Sequence, residues 1–274
     1  MKICIAGKND IAVNALYYVI NEYDADNVIV VLNRNDSGKD DWQKSLKNAA
    51  NELNIKTCSL EDIYKISDLY FFSLEFDKIV KTEKFKTDKL FNIHFSNLPK
   101  YKGMYTSILP ILNGENETGV TLHKIDNGID TGDIIAQKNF HIGINDTSRD
   151  VYFKFLENAF ILFKENFAKI LSNEYSSKKQ PQVNSSYYSK GTLDFKNIKI
   201  DFNKTSFEIH NQLRAFMFKE YQLPEINGIK VEKSILTDSF IGYNCFKEKE
   251  SEFIISGIDG YKISVQKQKL AGEM

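Results

Sequence analysis

Apolar runs that alternate with a helical pattern constrain the fold of this chain more than any other feature. Residues 2–6 (KICIA) and 27–33 (NVIVVLN) are short and mostly apolar, and residues 11–23 between them repeat apolar side chains at helical spacing. A third apolar run covers residues 68–74 (DLYFFSL). No hairpin signal separates these runs, and strands that alternate with helices pair in parallel. We therefore predict an α/β fold with a Rossmann-like, mostly parallel sheet and flanking helices. Later strands of the same sheet are predicted at residues 120–125 and 133–142.

A polar, serine-rich stretch at residues 172–186 follows a predicted amphipathic helix at residues 146–171. The stretch contains one of only four prolines, a composition typical of a connection between domains. We predict a catalytic domain at residues 1–180 and a small β-rich C-terminal domain at residues 181–274. The small domain has one predicted helix, at residues 205–216, with Thr205 or Ser206 as its N-cap. Its predicted strands lie at residues 192–195, 199–202, 229–236, 252–257 and 261–265.

Charge and cysteine content argue against several classes of protein. A formal net charge of −1 gives no general attraction for nucleic acid or for an anionic membrane. Cys4, Cys58 and Cys245 are far apart and lack zinc or redox spacing, so buried thiols in a reducing cytoplasm are the favoured interpretation. No apolar stretch approaches the ~20 residues of a membrane span, and no glycine-rich dinucleotide-binding pattern follows the first strand. We predict a cytoplasmic protein without nucleic acid, membrane or dinucleotide partners.

Residues 91–134 carry the candidate chemistry. Asn92 and His94 are two residues apart in a strand-like run, so their side chains project from the same face. Asp130 has glycines two positions away on either side, which allow a tight turn that approaches a ligand closely. Such a carboxylate can orient an imidazole and fix its tautomer. We therefore expect Asn92, His94 and Asp130 to converge at the end of a strand.

The landmarks of this stretch resemble those of the N10-formyltetrahydrofolate-dependent formyltransferases. The pattern Asn-x-His-x-Ser-x-Leu-Pro-x-Tyr-Lys-Gly begins at Asn92, Thr-Gly-Val-Thr-x-His covers residues 118–123, and Gly-x-Asp-Thr-Gly-Asp covers residues 128–133. The resemblance implies the formyltransferase fold and a one-carbon transferase that needs no metal. It also implies catalytic roles for Asn92, His94 and Asp130.

Each of these three residues has a separate task in formyl transfer. An uncharged amine must attack the formyl carbon, the resulting oxyanion must be stabilised, and the nitrogen must lose a proton. Asn92 can donate to the oxyanion, and His94 can take the proton. Asp130 can orient His94 and stabilise its cationic form. Taken singly, an Asn-x-His pair or a Gly-flanked Asp is more often structural, but their order with a Leu-Pro turn between them indicates catalysis.

The resemblance also implies where the formyl donor, N10-formyltetrahydrofolate, binds. Its pterin would lie in a cleft between the loop after a central strand and the loop ahead of the catalytic Asp. The matching positions are Ser73, Leu74, Phe76, Asn127 and Gly128. Backbone groups do most of this recognition, so plain loop packing is the alternative role for these residues.

The remaining histidines are interpreted as structural. His123 stands at the Thr-x-His position and is expected to make a structural polar contact, while His141 and His210 are expected to be ordinary surface or core residues. Four scattered histidines do not indicate a metal site.

The acceptor is predicted from a second resemblance. The opening Gly-Lys-Asn-x-Ile-Ala-Val at residues 7–13 and the run Asn-Gln-Leu-Arg-Ala-Phe at residues 211–216 are similar to those of enzymes that act on dTDP-linked 3-amino or 4-amino dideoxy sugars. A nucleotide diphosphate sugar needs cations near its pyrophosphate and a flat ring against its thymine. Domain packing is the alternative role for Arg214 and the aromatic residues. The candidate substrate-binding residues are Lys8, Asn9, Lys78, Tyr101, Lys190, Arg214, Phe216 and Tyr221.

These patterns predict a sugar N-formyltransferase that acts on a dTDP-linked 3-amino-3,6-dideoxyhexose in the synthesis of surface glycans such as lipopolysaccharide. Lys102 stands where the family pattern usually has Arg, and residues 104–106 lack the proline-rich segment common in the tRNA enzymes, which favours a sugar. The alternatives are a 4-amino acceptor, methionyl-tRNA, a hydrolase that releases formate, and a non-catalytic nucleotide-sugar-binding protein. Related enzymes lead us to expect a homodimer.

Overall fold

The computed structural model describes residues 1–269, which form three sheets and six α-helices. None of the helices in this range is long and apolar enough to cross a membrane. The strands are β1 (Lys2–Gly7), β2 (Val28–Leu32), β3 (Lys56–Thr57), β4 (Leu69–Leu74), β5 (Leu90–His94), β6 (Lys102–Gly103), β7 (Glu117–Lys124), β8 (Ile134–His141), β9 (Tyr187–Tyr188), β10 (Glu225–Ile226), β11 (Ile229–Phe240), β12 (Phe246–Glu248), β13 (Glu252–Ile255) and β14 (Tyr261–Lys267). The helices are α1 (Asn9–Glu22), α2 (Leu46–Glu52), α3 (Leu60–Ile63), α4 (Leu109–Leu112), α5 (Ser148–Leu171) and α6 (Ser206–Ala215).

The largest sheet has seven strands in the order β3-β2-β1-β4-β5-β7-β8. Strand β1 pairs in parallel with β2 and β4, and β4 pairs in parallel with β5. The predicted mostly parallel sheet is therefore confirmed. Strand β7 runs antiparallel to β5, so that Asn92 lies opposite His123. The sequence predicted β7 as a member of this sheet but did not reveal its direction.

Strands β1, β4 and β5 end at the same edge of the sheet because they are parallel. Gly7 pairs with Leu74 at this edge and leaves no room for a side chain, since a Cβ on Gly7 would lie 1.8 Å from the carbonyl oxygen of Leu74. Strand β5 ends there with His94. Ligands of open α/β sheets bind outside the carboxyl ends of the strands, so this edge is where a site is expected.

An aromatic core joins the seven-stranded sheet to helix α5. Phe72 of β4 stacks on Phe91 of β5 with ring centroids 5.4 Å apart, and it meets Phe163 and Phe167 of α5 at 5.3 Å. All four rings are buried. Burial of such a side chain contributes ~1.5–3 kcal/mol. This face of α5 is therefore core, in agreement with the amphipathic pattern of its sequence.

The five-stranded sheet is antiparallel, with the order β10-β11-β14-β13-β12, and confirms the predicted β-rich C-terminal part. Helix α6 begins after Thr205, one of its two predicted N-caps. The Thr205 hydroxyl accepts a hydrogen bond from the backbone N–H of Glu208 (3.2 Å), and the Glu208 carboxylate accepts one from the backbone N–H of Thr205 (3.1 Å). This reciprocal pair satisfies two backbone donors at the start of the helix. Ile209 of α6 then packs in one cluster with Phe253 of the sheet.

Residues 192–195 and 199–202, which were predicted as strands, form no strand. Asp194 accepts a hydrogen bond from the backbone N–H of Lys196 (3.0 Å), and Asp201 accepts one from the backbone N–H of Asn203 (2.9 Å). Aspartates that bind the backbone two residues ahead stabilise turns, which compete with strand pairing. The prediction was wrong because it gave the apolar alternation more weight than these aspartates.

The chain divides into two compact units. The first comprises residues 1–103, 119–140 and 155–187, and the second comprises residues 104–118, 141–154 and, within the described part of the chain, 188–269. The first unit contains β1 to β5, which position the candidate site. The second contains α6 and the five-stranded sheet. The predicted domain division at residue 180 stays a prediction.

Candidate active site

Strand β5 ends at His94, and a backbone carbonyl of the following loop binds its imidazole ring. His94 is 8% exposed, and its Nε2 lies 2.8 Å from the carbonyl oxygen of Tyr101. A carbonyl oxygen can only accept, so Nε2 carries the hydrogen and Nδ1 of the neutral ring carries the lone pair. Nδ1 lies 3.4 Å from Oδ2 of Asp130. The structure therefore brings the imidazole and the carboxylate together, with Nδ1 able to accept a proton beside the carboxylate.

Asp130 lies in a turn after β7, with a backbone φ of 54° that aspartate tolerates better than most residues. Its Oδ2 accepts a hydrogen bond from the backbone N–H of Gly103 at 2.9 Å. The Gln180 side chain donates from Nε2 to the carbonyl oxygens of Asp130 and Gly132, at 2.8 and 2.9 Å. A Cβ on Gly132 would lie 1.8 Å from the carbonyl oxygen of Lys124, so this close approach requires glycine. These contacts hold the carboxylate in a defined position.

The electrostatic surroundings keep Asp130 ionised. Burial raises the pKa of its carboxyl, but the neighbouring rings of His94 and then His123 lower it by more, because a ring in its protonated form favours the carboxylate. The hydrogen bond from the Gly103 N–H lowers the pKa further. The net result is a pKa well below the usual range of an aspartate, because neighbouring donors favour the charged form. Asp130 is therefore an anion at neutral pH.

His123 belongs to the same cluster, and sequence reasoning missed this part of its role. In the antiparallel pairing of β5 and β7, His123 lies directly opposite Asn92. Nδ2 of Asn92 is 3.0 Å from Nε2 of His123, and that nitrogen is 3.7 Å from Oδ1 of Asp130. The ring is almost fully buried. The signal in the sequence was the Thr-x-His spacing, whose meaning depended on the unknown register of β7.

Three of the residues predicted to hold the formyl donor lie in or just beyond β4. Ser73 is buried and pairs with Asn92 of the neighbouring strand. Leu74 is buried, and its carbonyl oxygen accepts a hydrogen bond from the backbone N–H of Lys8 at 3.2 Å. Phe76 packs against an apolar core cluster. Ser73 thus lies next to Asn92 through the pairing of their strands. The donor-binding role of all three residues stays a prediction.

The other two predicted donor residues lie in the turn that precedes Asp130. Asn127 is exposed, and the backbone N–H of Gly128 donates to the Asp126 carboxylate at 3.0 Å. The same carboxylate accepts a hydrogen bond from the Thr131 hydroxyl at 2.6 Å. Hydrogen bonds between its own residues therefore stabilise the turn. The role of Asn127 and Gly128 toward the donor stays a prediction.

Four predicted acceptor residues belong to the first unit. Lys8 and Lys78 are half-buried. Asn9 has a backbone φ of 62° and donates from its side chain to the Glu75 carboxylate at 3.1 Å. Tyr101 is buried, and its backbone carbonyl fixes the His94 ring as described above. The backbone of Tyr101 is thus part of the site, whereas acceptor binding by these four side chains stays a prediction.

Arg214, a predicted acceptor residue of the second unit, is 2% exposed and bonded to its own unit. Its guanidinium donates to the carbonyl oxygens of Gly143 (3.0 Å) and Asp146 (2.7 Å) and to the Asn211 side chain (2.9 Å). Burial lowers the pKa of Arg214 to about 10, although Asp146 opposes the shift. These contacts fit the packing alternative, and substrate binding by Arg214 stays a prediction that its burial disfavours.

The last three predicted acceptor residues also lie in the second unit. Lys190 is exposed. Phe216 is half-buried, with its ring centroid 6.2 Å from that of Phe195. Tyr221 is 61% exposed and can offer a face to a ligand. Their role toward the acceptor stays a prediction.

A cavity of about 400 Å³ in the first unit shares its wall with the Asp130 turn. Lys102 is 9% exposed, and its Nζ donates to the Ser185 hydroxyl at 2.9 Å. The Ser186 hydroxyl accepts from the backbone N–H of Tyr101 at 2.8 Å, which links this wall to the residue that fixes His94. An ammonium and several hydroxyls suit a polar, oxygen-rich ligand. The cavity is lined by Lys102, Ile129, Thr131, Ser185, Ser186 and Tyr187.

The remaining two histidines are the surface and core residues that were expected. His141 is exposed. His210 is fully buried, with Nε2 2.7 Å from the carbonyl oxygen of Ile144 and Nδ1 2.7 Å from the Ser234 hydroxyl. Across residues 1–269, no group of three or more His, Cys, Asp or Glu side chains is arranged to hold a metal ion. That the chemistry needs no metal stays a prediction.

Comparison with known proteins places this geometry in a family. Residues 76–165 match the formyl transferase family model. WlaRD, a sugar 3N-formyl transferase solved in the presence of dTDP and 5-N-formyl-THF, is 58% identical over 99% of each chain, with a TM-score of 0.96. The N-formyltransferase from Helicobacter canadensis, solved with folinic acid and dTDP-3-aminofucose, is 59% identical over 98% of this chain and 100% of that chain, with a TM-score of 0.95.

Relatives known from sequence cover less of the chain. The methionyl-tRNA formyltransferase of Clostridioides difficile is 32% identical over 229 residues, which are 78% of this chain and 73% of that protein. The bifunctional polymyxin resistance protein ArnA of Wigglesworthia glossinidia brevipalpis is 33% identical over 158 residues, which are 57% of this chain but only 24% of that protein. The resemblance seen in residues 91–134 is thus confirmed, and the chain belongs to the formyl transferase family.

Proposed function

We propose that this protein transfers the formyl group of N10-formyltetrahydrofolate to the amine of a dTDP-linked 3-amino-3,6-dideoxyhexose. The observation that carries the proposal is the approach of His94 Nδ1 to Asp130 Oδ2, at 3.4 Å, beside the Asn92 amide. The two solved structures at 58% and 59% identity support the choice of substrates, since one is a sugar 3N-formyl transferase and the other was solved with folinic acid and dTDP-3-aminofucose.

The proposed reaction forms one C–N bond and breaks another. The neutral amine of the sugar attacks the formyl carbon, and the Asn92 amide donates a hydrogen bond to the oxyanion that results. Nδ1 of His94 takes the proton that the attacking nitrogen loses, because Nε2 already donates to Tyr101. Asp130 stabilises the imidazolium that forms. The oxyanion then collapses, the bond from the formyl carbon to N10 of the folate breaks, and N10 takes the proton back from His94, which restores the neutral ring.

The cavity beside the Asp130 turn supports a small polar acceptor. Its volume of about 400 Å³ falls within the range of small-molecule sites, ~300–1,000 Å³. Lys102 can donate to a sugar hydroxyl or to a phosphate oxygen, since an ammonium has three hydrogens and Ser185 takes one of them. The half-exposed side chains of Ile129 and Tyr187 offer apolar surface for the methyl group of a 6-deoxy sugar.

A panel of acceptors tests the proposal. The protein is incubated with N10-formyltetrahydrofolate and, separately, with dTDP-linked 3-amino and 4-amino sugars and with methionyl-tRNA, and the products are identified by mass spectrometry. We expect the 3-formamido product with the highest kcat/KM. Faster formylation of a 4-amino sugar or of methionyl-tRNA would overturn the choice of acceptor. Formate release without an amine would point to a hydrolase, and binding of dTDP-sugar without turnover would point to a binding protein.

Three broader features belong to the same proposal. A cytoplasmic location is supported by the absence of a membrane-spanning helix among residues 1–269 together with the need for a folate donor. A role in surface glycan synthesis follows from the proposed acceptor. A homodimer is expected from related enzymes alone, and sedimentation equilibrium at several protein concentrations tests it. A mass equal to one chain of 31.6 kDa at all concentrations would contradict the dimer.

A further inference from the structure

The contacts of His123 are compatible with only one of the two tautomers of its neutral ring. Its Nδ1 lies 2.7 Å from the carbonyl oxygen of Lys124, which can only accept a hydrogen bond. Nδ1 therefore carries the hydrogen. Nε2 of the neutral ring then carries a lone pair, and the group facing it at 3.0 Å is the Asn92 side-chain amide. The contact is a hydrogen bond only if Asn92 turns its NH₂ group toward the ring.

This arrangement decides which end of the Asn92 amide faces the reaction. An amide can be reversed by a rotation that exchanges its NH₂ group and its oxygen. With the oxygen toward His123, two lone pairs would meet at hydrogen-bond distance in a buried place. With the NH₂ group toward His123, one hydrogen binds Nε2 and the second remains for a ligand. Nε2 also lies 3.7 Å from Oδ1 of Asp130, so one ring nitrogen adjoins both the Asn92 side chain and the Asp130 carboxylate.

We propose that His123 is a positioning residue that holds the Asn92 amide with its NH₂ group toward the formyl oxygen, an inference that rests on the proposed function. Its own neutral, Nδ1-protonated tautomer is essential to this task. A ring with a hydrogen on Nε2 has no acceptor for Asn92, and the amide then turns its oxygen toward the site. An amide oxygen beside a developing oxyanion repels it, whereas the NH₂ group stabilises it. In this proposal His123 acts through the Asn92 amide and not on a substrate directly.

The tautomer can be measured without any turnover. In ¹⁵N NMR spectra of the ¹⁵N-labelled full chain, the His123 signals are assigned as those lost in His123→Gln. We expect a protonated Nδ1 and an unprotonated Nε2 at pH 7.5, with a one-bond coupling to hydrogen at Nδ1 alone. A hydrogen on Nε2 at this pH would overturn the proposal. This measurement decides the proposal even if His123→Leu fails to fold, since the assignment needs only His123→Gln.

Two substitutions of His123 then separate positioning from packing. His123→Leu fills the buried space but offers Asn92 no acceptor, whereas His123→Gln has a side-chain oxygen that can accept. We expect His123→Leu to lower kcat on the order of 10²-fold, as for loss of one oxyanion donor, with KM for both substrates within about threefold. His123→Gln should recover at least tenfold of that loss. The matched control, Leu122→Val, changes a buried side chain of β7 on the opposite face and should leave kcat unchanged.

The outcomes separate this proposal from the proposed function. Equal losses of kcat in His123→Leu and His123→Gln, or a change of KM with kcat unchanged, would show that His123 has a purely structural role. A kcat of His123→Leu within twofold of the unaltered protein would also overturn positioning. If the unaltered protein formylates no acceptor of the panel, the proposed function fails, and the tautomer still decides whether His123 fixes the Asn92 amide.

Discussion

The side-chain amide of Gln180 donates a hydrogen bond of 2.8 Å to the backbone carbonyl of Asp130, although the two residues are 50 positions apart in the chain. The same nitrogen donates to the carbonyl of Gly132 at 2.9 Å. Its two hydrogens thus connect two carbonyls of one turn. Gln180 thereby determines where the turn lies, and with it the carboxylate that faces His94.

We expect Gln180→Glu to lower kcat by about 10- to 100-fold, since a misplacement of ~1 Å in a catalytic group can cost ~10²-fold. The carboxylate that replaces the amide cannot donate to two carbonyls and repels both. The measurement is steady-state kinetics with the 3-amino sugar. Gln182→Glu makes the same charge change at an exposed position two residues on and serves as the control. Similar rates in the two variants would show that the turn does not depend on Gln180.

His94→Asn and Asp130→Asn should each lower turnover by two or more orders of magnitude, within the ~10²–10⁴-fold range typical of general acid–base groups. His94→Asn removes the nitrogen that accepts the proton, and Asp130→Asn removes the charge that stabilises the imidazolium. Initial rates report the effect, and thermal unfolding followed by circular dichroism checks that the fold is retained. Asp133→Asn, in the same loop, is the control carboxylate. Rates like those of the unaltered protein in either variant would refute the role given to that residue.

For Arg214→Ala we expect a loss of stability before any loss of acceptor affinity. The guanidinium is 2% exposed and donates to two backbone carbonyls and one side chain. Its removal leaves these buried acceptors without partners, which lowers the free energy of unfolding by ~1–3 kcal/mol. Denaturant unfolding measures the change, and acceptor KM is measured in parallel. Arg214→Lys keeps the charge but not the planar set of donors, so it should restore little. Normal stability with a raised acceptor KM would instead support the substrate-binding role that the sequence suggested.

The stability of the second unit should fall as the pH is lowered from ~6.5 toward 4, because His210 stays neutral in the fold. Burial lowers its pKa from 6.5 to about 4, and Arg214 adds to this effect while the hydrogen bond to Ile144 opposes it. Below ~6.5 the unfolded chain binds a proton that the folded chain does not. The contribution is thus fully present above the unfolded pKa and is lost as pH falls through the folded pKa.

The slope from this one group is at most ~1.4 kcal/mol per pH unit. Urea unfolding at several pH values measures it, and His210→Gln should show a shallower dependence than the unaltered protein. His141→Gln, at an exposed histidine, is the control and should leave the dependence unchanged. Identical pH profiles for the unaltered protein and His210→Gln would contradict a neutral His210 in the fold.

Local patterns predicted much of this molecule. The apolar runs at residues 2–6, 27–33 and 68–74 became β1, β2 and β4, and their separation by helical segments correctly indicated parallel pairing. Thr205, a good N-cap three residues before Glu208, marked the start of α6. Such features depend on residues close together in the chain. The ordered landmarks from Asn92 to Asp133 likewise identified the family.

Long-range contacts were predicted poorly. The pairing of Asn92 with His123 depends on the antiparallel direction of β7, and nothing in the apolar alternation of that strand distinguishes the two directions. Gln180 lay in a stretch whose composition indicated only a connection between domains. Arg214 was predicted to bind the acceptor from a resemblance and from its charge, with domain packing as the alternative, and its burial among carbonyl groups could not be read from its neighbours in the chain.

The amino-acid sequence by itself determined most strands of the seven-stranded sheet, the capped helix and the family, and it pointed to an amide, an imidazole and a carboxylate for the candidate site. Tertiary structure alone decided that His123 faces the amide, that Gln180 holds the turn of Asp130, and that Arg214 is buried in the second unit. The physical reason is that hydrophobic periodicity and capping act within a few residues. Hydrogen bonds between distant side chains and carbonyls form only after strand direction and register have brought them together.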